Sequence, residues 1–225
     1  MNPEAVRQEA RALLQAHDAR PQHVLHVAYL ATELFRELTP LHRLGEREAL
    51  LLEVAALLHD LGRAARTGGL QHHKESARLI RQHPWQSLGP AEIEVVAQAA
   101  RYHRKTVPHL GHQEFAMLPP PDQKLVMTLA ALLRVADGLD RTHRQLVTGL
   151  RARIEPEQVT IQLFGSPNAL EELTAARRKA ILAELVFQRP FKFLLAAYGL
   201  TVSDAVALNP APEPPSRADD RQSQS

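Results

Sequence analysis

The sequence predicts a mainly α fold, a helical bundle followed by a small β-hairpin plus helix. Three observations carry this expectation. Apolar residues recur at three- and four-residue spacing through about residue 146, punctuated by helix-start and helix-stop residues. Nothing in that stretch alternates as a strand would. From Leu150 the apolar period becomes two across a Pro-containing turn, and helical spacing resumes from Asn168.

Asn2-Pro3-Glu4 reads as the first helix start, with Asn as N-cap, Pro in the first turn and an acid near the positive helix end. That helix runs to about Gln15. The second begins near Pro21, carries His23, Val27, Leu30, Leu34 and Phe35 at helical spacing, and is broken by Thr39-Pro40. A third runs from about Glu46 to Leu61 with Leu50, Val54, Leu57 and Leu58 on one face. Gly62 stops it, and Thr67-Gly68-Gly69 reads as a loop. The next helix spans about His73 to Gln82 and ends at His83-Pro84. Gly89-Pro90-Ala91-Glu92 opens another, to about His103. The Pro- and His-rich segment from Lys105 to Pro121 reads as a loop, and a long apolar helix follows from about Pro121 to Leu146.

Leu150, Ala152 and Ile154 then alternate with Arg151, Arg153 and Glu155. After the turn Pro156-Glu157-Gln158, Val159, Ile161 and Leu163 alternate with Thr160 and Gln162, which together predict a β-hairpin. Asn168-Ala169-Leu170-Glu171 starts a last helix, through about Phe187, with Glu171 in capping-box position. From about Asp204 the composition of Pro, Ala, Ser and charge predicts a disordered tail. No internal repeat is visible.

The chain of 225 residues has no cysteine, so disulfides and thiolate ligands are excluded. Any metal must be held by His, Asp, Glu or water, a donor set suited to Mn, Fe, Ni, Co, Mg or a His/carboxylate Zn site. The N-terminal stretch MNPEAVRQEARALL has no apolar signal core, and no apolar run is long enough to span a bilayer. A cytoplasmic protein with no membrane partner is the expectation. The 27 basic and 25 acidic residues nearly cancel, which does not resemble a general nucleic-acid binder.

His59-Asp60 ends the apolar run Val54-Ala55-Ala56-Leu57-Leu58. A carboxylate beside Leu and Ala is costly to bury unless a cation or donor compensates it, and a metal would. Adjacent helical residues point about 100° apart. Both therefore reach one metal only where the helix bends near Gly62, or they bridge two. The blander alternative is a helix end with a solvated Asp cap. Asp137 sits in the middle of the most apolar helix, where an ion pair to Arg134 or Arg141 is the competing explanation. His23, with His26 as neighbour, His72-His73 and His103 within Arg101-Tyr102-His103-Arg104-Lys105 each fall near a helix end. Any one of them alone is more often a core or surface residue; their joint arrangement is what points to a metal site.

The segments LLHDLG (57–62), HHKESARLI (72–80), ARYHRK (100–105) and LAALLRVADGLDRTHRQLV (129–147), in this order, resemble the HD superfamily of metal-dependent phosphohydrolases. The nearer similarity is to the C-terminal HD-like domain of the exopolyphosphatase and guanosine pentaphosphate phosphatase family, over roughly residues 20 to 190. The resemblance implies His23, His59, Asp60 and Asp137 as core metal ligands. It adds His72, with His73 as competitor, and His103 for a second ion. The chain is expected to divide into an HD-type helical domain over 1–147, a small α+β C-terminal extension over 148–203 and the disordered tail over 204–225. Full-length members of that family carry actin-like ATPase-type domains in front that perform the phosphatase chemistry. This sequence is expected to be free-standing, starting some 20 residues before the helical unit, so the HD site itself would have to do any catalysis.

The expected activity is hydrolysis of a nucleotide, pyrophosphate or polyphosphate by a water activated on one or two divalent ions. Asp60 would bridge the ions or orient the water. Arg104 and Lys105 would balance phosphoryl charge, ahead of Arg63, Lys74, Arg101 and Arg141. The alternative is a non-catalytic module binding a phosphorylated small molecule or a protein, with a structural metal. The hairpin offers an edge through which a homodimer could form.

Overall fold

The computed structural model describes residues 2–17, 21–63 and 71–196. The expected loop at 67–69 and the expected tail from residue 204 lie outside the described residues. The elements are α1 (Pro3–Ala16), α2 (Pro21–Glu37), α3 (Thr39–His42), α4 (Glu46–Leu58), a 3-10 turn (Leu61–Arg63), α5 (His72–Gln82), α6 (Pro90–Arg101), α7 (Gln113–Ala116), α8 (Pro120–Gly138), β1 (Val147–Ile154), β2 (Val159–Gly165), α9 (Leu170–Lys179), α10 (Ile181–Phe187) and β3 (Phe191–Leu195). The fold is mainly helical with one small sheet.

The central element is α4. The sequence suggests one apolar face for it, yet Leu50, Leu51, Leu52 and every residue from Val54 to Leu58 are buried. A helix apolar on all sides belongs inside a bundle, and α1, α2, α6 and α8 surround it. Around it, α2 buries Val24, Val27, Leu30, Ala31, Leu34 and Phe35, while α6 packs between α5 and α8. Asn2 caps α1 by accepting the Glu4 and Ala5 N–H groups, as its position suggests.

Several boundaries differ from the sequence reading. Thr39-Pro40 does not simply break the chain; it starts α3, because Pro is favoured in a first turn. The Lys105 to Pro121 segment contains the short α7. The long apolar helix ends at Gly138, not Leu146. There the Asp140 carboxylate accepts the Gln145 N–H at 2.9 Å, and His143 and Gln145 adopt positive φ, so the chain turns out of the helix. The last helix divides at Ala180 into α9 and α10. Glu171 does not cap it, since N-cap Ala169 has no side-chain acceptor.

The predicted hairpin is present, with β1 antiparallel to β2 in the register Leu150↔Leu163 and Ala152↔Ile161. β3 was not anticipated. It runs parallel to β2 after the α9–α10 crossover, pairing Val159↔Phe191 through Leu163↔Leu195. The sheet order is β1-β2-β3, so β2 is central. The outer edge of β1 is engaged by α2. His26 Nε2 bonds the Val147 carbonyl at 2.8 Å, Tyr29 donates its hydroxyl to the Thr148 carbonyl at 3.2 Å, and the Ala152 N–H donates to Glu37 at 2.9 Å. The expected open hairpin edge is therefore closed at these positions by side chains from α2. Among the described residues, no helix is long and apolar enough to cross a membrane.

Candidate metal centre

Helix ends converge on one buried point. His23 is the third residue of α2, His59 follows α4, His72 opens α5, His103 lies just past α6, and Asp137 is next to last in α8. Three of these are helix C-terminal positions, where the partial negative charge of the macrodipole favours a cation. All four histidines and Asp60 are buried to 2% exposure or less, so they cannot be counted as solvated helix ends.

The turn after α4 presents His59 and Asp60 together. His59 keeps helical backbone angles, and its Nδ1 bonds the Ala56 carbonyl at 2.6 Å, which directs Nε2 inward. His103 repeats the device, its Nδ1 on the Ala100 carbonyl at 2.7 Å. Gly62 lets this turn approach α5. A Cβ there would stand 2.3 Å from the His72 carbonyl oxygen and 2.8 Å from Ser76 N, and the Gly62 N–H donates to Ser76 Oγ at 3.0 Å. Gly62 is thus a contact point between the turn that carries His59 and Asp60 and the helix that carries His72, rather than only a helix stop.

Asp60 Oδ1 lies 3.2 Å from His72 Nε2 and 3.8 Å from both His59 Nε2 and His103 Nε2. Asp60 Oδ2 lies 3.9 Å from His23 Nε2 and is also bonded by Arg63. Asp137 Oδ1 is 3.5 Å from His23 Nε2 and 3.9 Å from His59 Nε2. Either of two groups that share His59 could hold an ion: His23, His59 and Asp137, or His59, Asp60 and His103. Ligands bound tetrahedrally at about 2.0–2.2 Å stand about 3.3–3.6 Å apart, so small shifts of these side chains suffice. The Nε2 atoms of His23 and His59 have no hydrogen-bond partner among the described residues. A buried imidazole nitrogen without a partner is unfavourable unless something else takes its lone pair. The donor chemistry, nitrogen and carboxylate oxygen without sulfur, fits a divalent ion.

The electrostatics of Asp60, Asp137, His59 and His103 agree with this fit. Burial opposes ionisation of Asp60, but His59, His72, His103 and Arg63 outweigh it and hold the carboxyl well below its usual range. Burial likewise opposes ionisation of Asp137, and Lys179 with the surrounding histidines reverses the balance. Both are anions at neutral pH. Burial pushes His59 and His103 below the ordinary imidazole value. For His23 burial is outweighed by the neighbouring Asp137, Asp140 and Asp60 carboxylates, which raise it to about 9.

His26, the neighbour weighed against His23, faces the sheet. Of His72 and His73, it is His72 whose Nε2 approaches Asp60. The Arg104 guanidinium lies against the His72 ring, 3.1 Å from Nε2. Arg101 pairs instead with Glu114. Arg134 does not pair with Asp137; it donates to the Tyr102 carbonyl at 2.9 Å and the Lys105 carbonyl at 3.2 Å, shaping the turn after His103. Three residues were not singled out from the sequence. Asp140 Oδ2 bonds His23 Nδ1 at 2.8 Å, His143 stacks on the His23 ring at 3.8 Å, and Lys179 pairs with Asp137. Asp140 had a signal, since it stands one helical turn beyond Asp137.

A cavity of about 330 Å³ opens beside the cluster. Arg63, Arg104, Lys105, Arg134, Arg141, Arg178 and Lys179 line it, with Asp137 as the one carboxylate in its wall. Such a surplus of fixed cations suits a multiply charged anion. A larger groove of about 620 Å³ among α1, α2 and α4 contains none of the proposed ligands, and its Arg7 is already paired with Glu53.

Compared with known proteins, the sequence matches the family described as Ppx/GppA phosphatase, domain III, over residues 6–185. No curated protein matches it.

Proposed function

Since the chain belongs to the Ppx/GppA phosphatase family through its domain III, we propose that it is a phosphohydrolase whose own HD-type His–Asp cluster holds one or two divalent ions. The observation that carries this reading is the pair of buried, partnerless Nε2 atoms of His23 and His59 beside two anionic carboxylates. A bound divalent ion would supply Lewis acidity and a water of lowered pKa. His23, His59 and Asp137 would hold one ion, and Asp60, His103 and His72 a second, since His59 has one free nitrogen and serves a single ion. Asp60, at the meeting point of the two groups, would bridge the ions or orient the attacking water. Arg104 and Lys105 would fix the phosphoryl oxygens and balance the charge that develops on them. The substrate would be a nucleotide, pyrophosphate, polyphosphate or other phosphorylated small molecule, because among the described residues of the cavity wall cations predominate and only Ala175 is apolar.

A second reading, a non-catalytic module that binds a phosphorylated ligand, is favoured by one contact: Lys179 already neutralises Asp137. Metal analysis of the purified protein, followed by hydrolysis assays with Mn or Ni on phosphomonoesters, phosphodiesters, pyrophosphate and polyphosphate, separates the two. The enzyme reading expects bound metal and turnover that His59→Ala abolishes. Metal-loaded protein that hydrolyses none of these overturns it and leaves the binding module.

A further inference from the structure

Asp137 uses its two oxygens on different partners. Oδ1 faces the His23 and His59 nitrogens, and Oδ2 carries the Lys179 ammonium. The lysine is brought there by the packing of α9 on α8. Gly138 lies so close to α9 that a Cβ on it would meet Ala176 N and Cα at 2.9 Å. Lys179 follows Ala176 by three residues and so shares its helix face. At the other end of α9, buried Glu172 accepts the Thr142 N–H at 3.0 Å and the Thr142 hydroxyl at 2.6 Å. Both anchors join α9 to residues that flank Asp140, so the approach of Lys179 to Asp137 follows from the fold and not from a freely moving surface chain.

Lys179 also lines the cationic cavity and is partly exposed there. Its ammonium therefore has a second place to go, among Arg178, Arg141 and Lys105. An ammonium on Oδ2 cancels the anionic charge that a divalent ion would use, and it repels that ion at short range.

We propose that Lys179 is an internal counter-ion that competes with a divalent metal for Asp137. Metal loading then requires the ammonium to leave the carboxylate for the cavity, where it joins the cations that face an anionic ligand. This inference rests on the metal reading above.

The test is calorimetric titration of the full chain with Mn²⁺ in phosphate-free buffer. Lys179→Met is expected to bind Mn²⁺ about tenfold more tightly than the wild type, equivalent to about 1.4 kcal/mol. Lys179→Arg keeps the charge and is expected to match the wild type. Arg178→Met removes a neighbouring charge that does not pair with Asp137, and its affinity should stay within about twofold because screening weakens less direct contacts. An unchanged or weaker affinity in Lys179→Met overturns the proposal, as does an equal gain in Arg178→Met, which would report a general field. If wild type and all variants bind no Mn²⁺, Ni²⁺ or Zn²⁺, the metal reading itself fails and takes the inference with it.

Discussion

Asp140 holds the His23 ring by Nδ1, at 2.8 Å, and so turns Nε2 toward Asp137. A carboxylate behind a ligating histidine fixes the tautomer and orientation and increases basicity. Asp140→Asn keeps an acceptor for the Gln145 N–H and should preserve the turn after α8. It is expected to weaken metal binding by roughly 10–100-fold, read as the dissociation constant for Mn²⁺ at constant thermal midpoint of the metal-free protein. A variant that loses stability yet binds Mn²⁺ as tightly as the wild type would make Asp140 only a cap.

Gly62 joins the turn that carries His59 and Asp60 to α5, which carries His72. Gly62→Ala must push α5 away, because the nearest obstacles are the backbone of His72 and Ser76 rather than flexible side-chain ends. Overpacking of this kind is expected to reduce stability by about 1–3 kcal/mol. Urea unfolding of the metal-free protein measures it. The same substitution at Gly45, whose nearest neighbour is a Glu48 oxygen at 3.5 Å, should have a much smaller effect.

His42 supplies a pH dependence remote from the site. Its Nε2–H donates to the Phe35 carbonyl at 2.8 Å and its Nδ1 accepts the Leu44 N–H at 3.0 Å. Protonation would destroy the second bond. Burial lowers its pKa, opposed by the Phe35 bond and by Glu48. A histidine whose folded pKa is depressed binds fewer protons in the native state. Its contribution is present above about pH 6.5, the ordinary value, and is lost as pH falls through the folded pKa. The unfolding midpoint of His42→Gln should therefore vary less between pH 7 and pH 5 than that of the wild type. Parallel pH profiles for the two proteins would refute this.

Much of the site could be read from the chain because burying a carboxylate after five apolar residues is conspicuous. His59-Asp60 and Asp137 both stand out on that ground, and the helical spacing places His23, His72 and His103 at element ends. Lys179 could not be found this way. Its role depends on how closely Gly138 lets α9 approach α8, and no periodicity records a helix crossing. β3 was hidden for a related reason: its parallel pairing to β2 is long-range, and five residues after Pro190 carry too short a pattern. The over-long reading of α8 has a local cause, since Leu139 and Leu146 continue the apolar pattern while Asp140 and two left-handed residues end the helix.

The fastening of α2 to β1 has a consequence for His23. His23 and His26 occupy one turn of α2, the first at the ligand cluster and the second bonded to Val147. Tyr29 and Glu37 fix the rest of the helix to the same strand. α2 therefore cannot carry the His23 ring toward or away from Asp60 and Asp137 without breaking these three bonds. The sheet acts as a backstop behind this histidine, so any approach of Nε2 to an ion would come from its side chain and not from its helix.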